Sequence, residues 1–184
     1  MAHTLIIGQV ESGKTTLAKM LARRLRRKGH GVLVLDHWRS SDWDANEIAT
    51  NAEDFRELVY QSRRCYCFID EAPEMLQKDR ENDHFATMSR HWGHSFYFIS
   101  QRVMGLNPMI RTNCQNIFCF KQHHDASRIL AREFVCDKLF EAKDLLSGEF
   151  IGKMGVDDPG KKFKINFQKQ VVISCEGTIN NIVE

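Results

Sequence analysis

The chain has 184 residues but only three prolines, and none of its six cysteines belongs to a Cys-x-x-Cys pair. A zinc site or a thioredoxin-like redox motif is therefore not predicted, and we interpret the cysteines as reduced core residues. No apolar run reaches the length of a membrane span, and no basic segment precedes an apolar stretch long enough for a signal peptide. With 26 basic and 24 acidic side chains, the net charge of +2 is too small to indicate nucleic-acid binding by itself. We expect a single domain over residues 1–184 that works in a reducing, cytoplasm-like interior or is assembled there.

The most informative segment is GQVESGKT at residues 8–15, which fits the phosphate-binding-loop pattern G-x-x-x-x-G-K-[ST] at every fixed position. An apolar segment rich in β-branched residues precedes it and a helical segment follows. In that context the N–H groups of the loop and the positive end of the helix face phosphate oxygens. Lys14 is expected to reach the β- and γ-phosphates, and Thr15 to place its hydroxyl on Mg²⁺. The predicted ATP-binding residues are Gly8, Gln9, Val10, Glu11, Ser12, Gly13, Lys14, Thr15 and Thr16.

Apolar runs and helical patterns alternate along the chain. Strands are predicted at residues 3–7, 32–36, 66–70, 95–100 and 116–121, and helices at residues 13–28, 52–63, 79–92 and 125–134. Near-continuous apolar strands separated by helices predict an α/β fold, with a mostly parallel sheet and helices on both faces. After an ATPase core of about residues 3–135, we expect a short helix at 137–146 and a C-terminal β-hairpin of strands 149–154 and 162–167 that turns at 157–160.

A second motif lies where the strand at residues 66–70 ends in Asp70 and Glu71, the form expected of a Walker B element. Asp70 is predicted to hold the Mg²⁺ shell, and Glu71 to polarise the attacking water. The pair favours a hydrolase over a small-molecule kinase, which tends to exclude water and lacks the activating glutamate. The next strand ends in Ser100, Gln101 and Arg102. Gln101 is therefore predicted to lie beside the phosphates and to contact the γ-phosphate or the water.

These features resemble those of a known class, the P-loop NTPases of the additional-strand (ASCE/RecA-like) type, which have an inserted strand with a polar sensor. Within this class, ISQR at residues 99–102 followed by NPMIRTN at residues 107–113 resembles the FtsK/HerA superfamily. Its members commonly carry a Ser-Gln sensor, then a proline, an Ile-Arg pair and an asparagine before the next strand. The small size is most similar to the genome-packaging ATPases of tailless double-jelly-roll viruses with an internal membrane. Glu11 departs from expectation, since it brings an acid close to the phosphates.

The resemblance implies a homo-oligomeric ring, usually a hexamer, with each ATP held at a subunit boundary. Arg111 is then the leading candidate for an arginine finger, the side chain that stabilises charge on the γ-phosphate. Arg102 and Arg90 compete for that role. The catalytic residues on this interpretation are Lys14, Glu71, Gln101 and Arg111.

Three basic clusters are candidates for nucleic-acid contact: residues 23–28; Lys78, Arg80, Arg90 and His91; and Lys161, Lys162 and Lys164 with Lys169. The cluster at residues 23–28 suits the negative end of the first helix, so we interpret it as a complement to the helix dipole. A motor that moves along DNA of any sequence holds phosphates instead of base edges. Phe163 and Phe167 are expected to alternate toward a core, which favours duplex DNA over stacked single strands. The predicted DNA-binding residues are Lys78, Arg80, Arg90, Lys161, Lys162 and Lys164.

Together these observations lead to the hypothesis of an ATP-hydrolysing DNA translocase that drives double-stranded viral DNA into a preformed capsid, with ATP and Mg²⁺ as cofactors. The expected partners are double-stranded DNA, further copies of the chain and capsid vertex proteins. The expected locations are the packaging vertex of the virion and the host cytoplasm. Two alternatives stay open. One is a small nucleotide kinase, and the other is an assembly or secretion ATPase that moves protein.

Overall fold

A computed structural model describes residues 2–40, 42–76, 84–87 and 91–175. Its strands form one sheet in the order β3-β2-β4-β5-β1-β6-β7-β8-β9. Neighbouring strands are parallel from β3 to β6, and β7, β8 and β9 continue the sheet with antiparallel pairing. The strands are β1 (His3–Ile7), β2 (Val32–Leu35), β3 (Glu47–Ala49), β4 (Tyr66–Ile69), β5 (Ser95–Ser100), β6 (Cys114–Phe120), β7 (Glu149–Met154), β8 (Lys161–Asn166) and β9 (Val171–Ser174).

The helices begin in two different ways. Asn51 caps α2 by accepting a hydrogen bond from the backbone N–H of Asp54, and Asn107 caps α5 in the same manner. Helix α1 instead follows Gly13 and has no side-chain cap, so its first N–H groups stay available. The helices are α1 (Lys14–Arg27), α2 (Ala52–Gln61), α3 (Ala72–Leu76), α4 (His84–Thr87), α5 (Pro108–Asn113), α6 (His124–Glu133) and a 3-10 helix (Asp137–Asp144).

The sheet is buried on both faces along β1, β2, β4, β5 and β6, whereas β8 and β9 expose one face. Along β1, Leu5 and Ile7 belong to one apolar cluster, whereas Ile6 belongs to another, because successive strand residues point to opposite faces. The first cluster includes side chains of α2, α3 and α6, and the second includes Leu17 and Leu21 of α1. Helices therefore cover both faces, which confirms the predicted α/β fold.

The order of three strands decides where the motifs meet. Strand β5 lies between β4 and β1 and pairs in parallel with both. Ile7 is opposite Ser100, and Ile69 is opposite Phe98, so the segments that follow these strands leave the sheet at one edge. This is the inserted-strand arrangement that the sequence predicted.

Several elements differ from the prediction. The C-terminal hairpin exists, but β7 also pairs with β6 and a further strand, β9, pairs with β8, so the hairpin extends the main sheet. The short helix expected at 137–146 is a 3-10 helix. Of the helix predicted at 79–92, α4 is described and most of the remainder lies outside the described residues. Sequence patterns missed β3, α3 and α5, since three to six residues are too few for a periodicity.

Within the described ranges, no helix combines the length and the apolar character that a membrane span requires. All six cysteines are free thiols, and Cys175 alone among them is exposed. Burial raises the pKa of the Cys119 thiol well above its usual range, which disfavours the reactive thiolate.

Candidate active site

The loop at residues 8–15 has a backbone that only certain residues tolerate. Gly13 has a φ of 108° and Glu11 a φ of 58°. A Cβ added at Gly8 would lie 2.5 Å from the Cβ of Phe120, so only glycine fits there. The hydroxyl oxygen of Ser12 is buried without a hydrogen-bond partner among the described residues. A phosphate oxygen is the kind of group that would satisfy it.

The cation of the loop is held inside it. Lys14 is buried, and its Nζ donates a 2.8 Å hydrogen bond to the backbone oxygen of Gln9. Burial lowers the pKa of Lys14, while the nearby Glu71 and Asp70 act in the opposite direction. An ammonium has three N–H donors, so Lys14 keeps capacity for phosphate oxygens. Glu11, the unexpected acid, is exposed, and its charge stays in water.

Thr15 and Asp70 bring two oxygen donors together across 55 residues of sequence. The Thr15 Oγ1 lies 3.4 Å from the Asp70 Oδ2. The pKa of Asp70 is raised to about 6, chiefly by burial and also by the charges of Glu71 and Asp36, while a hydrogen bond from the Glu71 N–H acts in the opposite direction. A divalent cation at this point would offset the free-energy cost of burying the ionised Asp70 carboxylate. Hydroxyl and carboxylate oxygens are ligands that Mg²⁺ accepts. The residues present therefore fit the predicted metal.

Glu71 and Gln101 are joined directly. The Gln101 Nε2 donates a 2.6 Å hydrogen bond to the Glu71 Oε1. Glu71 also has a φ of 48°, a left-handed conformation that costs free energy in a residue with a side chain. Two features therefore fix the position of the Glu71 carboxylate: the backbone conformation of Glu71 and the hydrogen bond from Gln101, which follows the neighbouring strand β5.

A cavity of about 630 Å³ lies on the far side of Asp70 and Glu71 from the loop, next to the end of β2. Asp36 lines it and accepts hydrogen bonds from the N–H groups of Trp38 and Ser40 and from the Trp43 indole. Burial alone would raise the pKa of Asp36, but these bonds outweigh it and lower that pKa. Among the described residues, the lining has four carboxylates, and neither lysine nor arginine: Asp36, Asp70, Glu71 and Glu74 are the acids.

Residues far along the chain hold the phosphate-binding loop from outside. The Ser147 hydroxyl donates to the backbone oxygen of Glu11 at 3.1 Å, and the Gly148 N–H donates to that of Ser12 at 3.0 Å. Gly148 in turn accepts a 2.8 Å hydrogen bond from the N–H of Ile165 in β8. Sequence reasoning missed these contacts, because a Ser-Gly pair between a helix and a strand carries no signal of its partner.

Arg111 is not brought to the loop. It is buried, and it forms a bidentate pair with Glu133, with Nε and Nη2 at 2.9 and 2.8 Å from the carboxylate oxygens. Its Nη1 donates to the backbone oxygens of Val103 and Leu106. An arginine finger must present free donors to a phosphate, and here four of the five N–H donors of Arg111 are already used. The finger assignment remains a prediction, and the packing of Arg111 argues against it.

Arg102 is better placed than Arg111. It is exposed and borders a cleft of about 690 Å³ together with Gln9, Val10 and Gln101. Arg90, the third candidate, lies outside the described residues, as do Lys78 and Arg80.

The basic side chains of the C-terminal strands are only partly free. In β8, Lys161 and Lys164 are exposed, whereas Lys162 forms a 2.9 Å ion pair with Glu149. The structure also joins two of the predicted clusters. Arg23, Arg27 and Lys169 line one cleft of about 500 Å³ between α1 and the β8–β9 turn.

No protein-family model matches the chain, and no curated protein matches it in sequence. Among solved structures it is similar to the genome packaging NTPase B204 from Sulfolobus turreted icosahedral virus 2 in complex with AMPPCP. The TM-score is 0.70 at 18% identity, over 94% of this chain and 96% of that chain. The DNA-packaging ATPase B204 from Sulfolobus turreted icosahedral virus has a TM-score of 0.74 at 19% identity, over 88% of this chain and 96% of that chain.

The chain shares the fold of these packaging ATPases. Two further structures share it. The pCW3 conjugation coupling protein TcpA has a TM-score of 0.67 at 19% identity, over 86% of this chain and 59% of that one. VirB4 of Thermoanaerobacter pseudethanolicus has a TM-score of 0.64 at 11% identity, over 86% of this chain and 88% of that chain. The resemblance drawn from the sequence is thereby confirmed for the fold.

Proposed function

We propose that this chain is an ATP-hydrolysing motor that moves double-stranded DNA, in the role of a viral genome-packaging ATPase. The observation that carries the proposal is the meeting of three motifs at one edge of the sheet. Lys14 lies in the loop, Thr15 and Asp70 lie 3.4 Å apart, and Gln101 holds Glu71 at 2.6 Å. A binding module has no need for a carboxylate aimed beside a phosphate site, whereas a hydrolase does.

The chemistry follows from these side chains. Lys14 binds the β- and γ-phosphates and offsets the charge that develops on them. Glu71 accepts a hydrogen bond from the attacking water and orients it, and Gln101 fixes the position of Glu71. Thr15 and Asp70 would hold Mg²⁺, which neutralises charge on the transferring phosphoryl group. The side-chain NH₂ of Gln101 has two donors, so it can also donate a hydrogen bond to the γ-phosphate, either beside Glu71 or in its place.

The DNA part of the proposal rests on charge and on the named function of similar proteins. B204 is described as a DNA-packaging ATPase and TcpA as a conjugation coupling protein. Exposed Lys161 and Lys164, together with Lys78, Arg80 and Arg90, supply cations suited to a phosphate backbone. We assign Lys162 a lesser part, because Glu149 balances its charge.

We further propose a homo-oligomeric ring of six subunits, with capsid vertex proteins as partners and with the packaging vertex of the virion and the host cytoplasm as locations. In such a ring Arg102 is the described arginine best suited to reach a phosphate, since it is exposed beside Gln101. Arg111 would instead have to break four hydrogen bonds.

One observation weighs on the kinase alternative. A nucleotide kinase must bind the phosphate of its acceptor next to the γ-phosphate of ATP, and cations do this. The cavity beside Asp70 and Glu71 is acidic in the part of the chain that is described. The acceptor phosphate would be repelled there, which favours a hydrolase.

The test is the rate of ATP hydrolysis with and without duplex DNA, across a range of protein concentrations and with Lys14→Ala as the inactive control. We expect DNA to raise the rate, and the specific activity to rise with protein concentration as rings form. Phosphoryl transfer to a nucleotide in place of water would support the kinase. A rate of ATP hydrolysis that does not change with DNA would support the alternative of an ATPase that moves protein.

A further inference from the structure

One aromatic side chain beside the phosphate-binding loop has no place in the chemistry described so far. Phe163 and Ile165 of β8 point inward and are 3% and 2% exposed, but Phe167, next in that alternation, is 49% exposed. Phe167 lies just past the end of β8, and the expectation that it turns toward a core is therefore wrong. A half-exposed phenyl ring gains free energy when another flat apolar surface covers it.

The ring of Phe167 lies against the loop. A Cβ built on Gly13 would be 3.5 Å from its Cζ, and one built on Gly148 would be 2.7 Å from its Cε2. Gly148 is the residue whose N–H donates to the backbone of Ser12. Phe167 therefore packs on two glycines, one in the loop and one in the segment that holds the loop.

The order of strands gives the direction in which a bound nucleotide extends. Asp70, Glu71 and Gln101 follow β4 and β5, and these strands lie on one side of β1. They mark the γ-phosphate end, so the ribose and base must extend away from them. On the opposite side of β1 come β6, β7 and β8, and Phe167 follows β8. A cavity of about 330 Å³ also opens beside Thr15 and Thr16 and reaches Gln170 of the same β8–β9 turn.

We propose that Phe167 is the stacking platform for the nucleobase of the bound nucleoside triphosphate, so that the C-terminal strands complete the nucleotide site. The proposal rests on the proposed nucleotide binding and names the part of the ligand that the loop does not hold. Every base presents a π-face, and a purine presents a larger one than a pyrimidine. The site therefore prefers ATP and GTP over CTP and UTP, without a strong choice between the two purines at this ring.

The experiment compares two ligands in the presence of Mg²⁺: ATP, and inorganic tripolyphosphate, which has the phosphates but no base. Binding to the full chain is measured by calorimetry for wild type, Phe167→Ala and Phe167→Trp. The matched control is Tyr60→Ala, which removes another partly exposed aromatic ring, one that packs on Trp92 in a different part of the fold. Thermal unfolding of each variant reports whether it is folded.

We expect Phe167→Ala to weaken ATP binding at least about fivefold, with tripolyphosphate binding changed less than about twofold. Phe167→Trp should keep ATP affinity near wild type, and Tyr60→Ala should change neither ligand. Equal losses for ATP and tripolyphosphate in folded Phe167→Ala would overturn the proposal, since the ring would then only support the loop. Unchanged ATP binding would overturn it as well. If wild type bound neither ligand, the proposed function itself would fail, and that outcome is distinct.

Discussion

The amide of Gln101 donates a 2.6 Å hydrogen bond to the carboxylate of Glu71, which ties the end of β5 to the end of β4 directly beside the phosphate-binding loop. The two residues are 30 positions apart in sequence and come from neighbouring strands. A carboxylate that orients water works only if its own position is fixed. This bond therefore connects the residue expected to sense the γ-phosphate with the residue expected to act on the water.

The first prediction separates binding from hydrolysis. Glu71→Gln should bind Mg·ATP with nearly wild-type affinity but lose hydrolysis, because Asp70 and Lys14 survive and only the water-orienting carboxylate is lost. Gln101→Ala should act in the same direction with a smaller loss, since Glu71 is then less fixed. Lys14→Ala should weaken binding itself. Calorimetry with Mg·ATP and a phosphate-release assay measure the two effects. Wild-type hydrolysis by Glu71→Gln would contradict the assignment.

The second prediction contrasts two arginines. Arg111→Ala should lower the free energy of unfolding by about 3 kcal/mol, because it breaks a buried bidentate pair and leaves two backbone oxygens without their donor. Arg102→Ala should fold like wild type and lose hydrolysis, since Arg102 is exposed and borders one cleft with Gln9 and Gln101. Denaturant titration and turnover are measured for both variants.

A mixing experiment then tests action between subunits. Arg102→Ala mixed with Glu71→Gln should regain part of the activity, because some interfaces combine an intact Arg102 with an intact Glu71. A stable but inactive Arg111→Ala that is rescued in the same mixture would restore Arg111 as the arginine finger.

The third prediction concerns Asp70 and pH in metal-free protein. The folded pKa is about 6 against an ordinary value of 3.8. The folded state therefore binds the proton more tightly, and this contribution to stability is lost as the pH rises through 6. Asp70→Asn should be more stable than wild type by about 3 kcal/mol at neutral pH, a gain that is lost as the pH falls to below about 4. Denaturant titrations in chelator across this range give the difference, and a gain independent of pH would contradict the cause. Mg·ATP should stabilise only wild type.

The fourth prediction uses two glycines with matched backbones. Gly148 and Gly155 have φ values of 79° and 84°, so alanine is strained equally at both. A Cβ at Gly155 meets nothing within 4 Å, whereas at Gly148 it meets the Phe167 ring at 2.7 Å. Gly148→Ala should lose more stability than Gly155→Ala and should also weaken nucleotide binding, because Gly148 holds Ser12. Equal behaviour of the two variants in melting and calorimetry would show that the segment does not support the loop.

The fifth prediction concerns DNA. Each phosphate contact releases a condensed counterion, so binding should weaken steeply with salt and show little sequence preference. Changing both Lys161 and Lys164 to glutamine, the two exposed lysines of β8, should flatten the salt slope by about two units. Lys162→Gln should change it by less than about one, since Glu149 pairs with that charge. Lys78→Gln with Arg80→Gln tests the cluster that the sequence indicated. Salt-insensitive, sequence-specific binding would contradict the motor.

The sequence by itself determined the parts of this protein whose causes are local. The glycines and lysine of residues 8–15 predict the phosphate-binding loop, because the backbone of the loop itself sets the spacing between these residues. The apolar strands separated by helices predicted the parallel sheet, and the resemblance of residues 99–113 indicated which kind of P-loop fold it is. Asp70, Glu71 and Gln101 could be predicted as site residues because each follows a recognisable buried strand.

The tertiary structure decided what depends on contacts between distant segments. Arg111 looked free in the sequence, yet Glu133 and two loop carbonyls use its donors. Phe167 fitted a core-facing alternation, yet its strand ends one residue earlier and the ring lies over Gly13 and Gly148. The contacts of Arg111 with Glu133 and of Phe167 with Gly13 join residues 22 and 154 positions apart, and no periodicity encodes which surface a side chain will meet. Only the assembled sheet brings the C-terminal strands against the loop at the start of the chain.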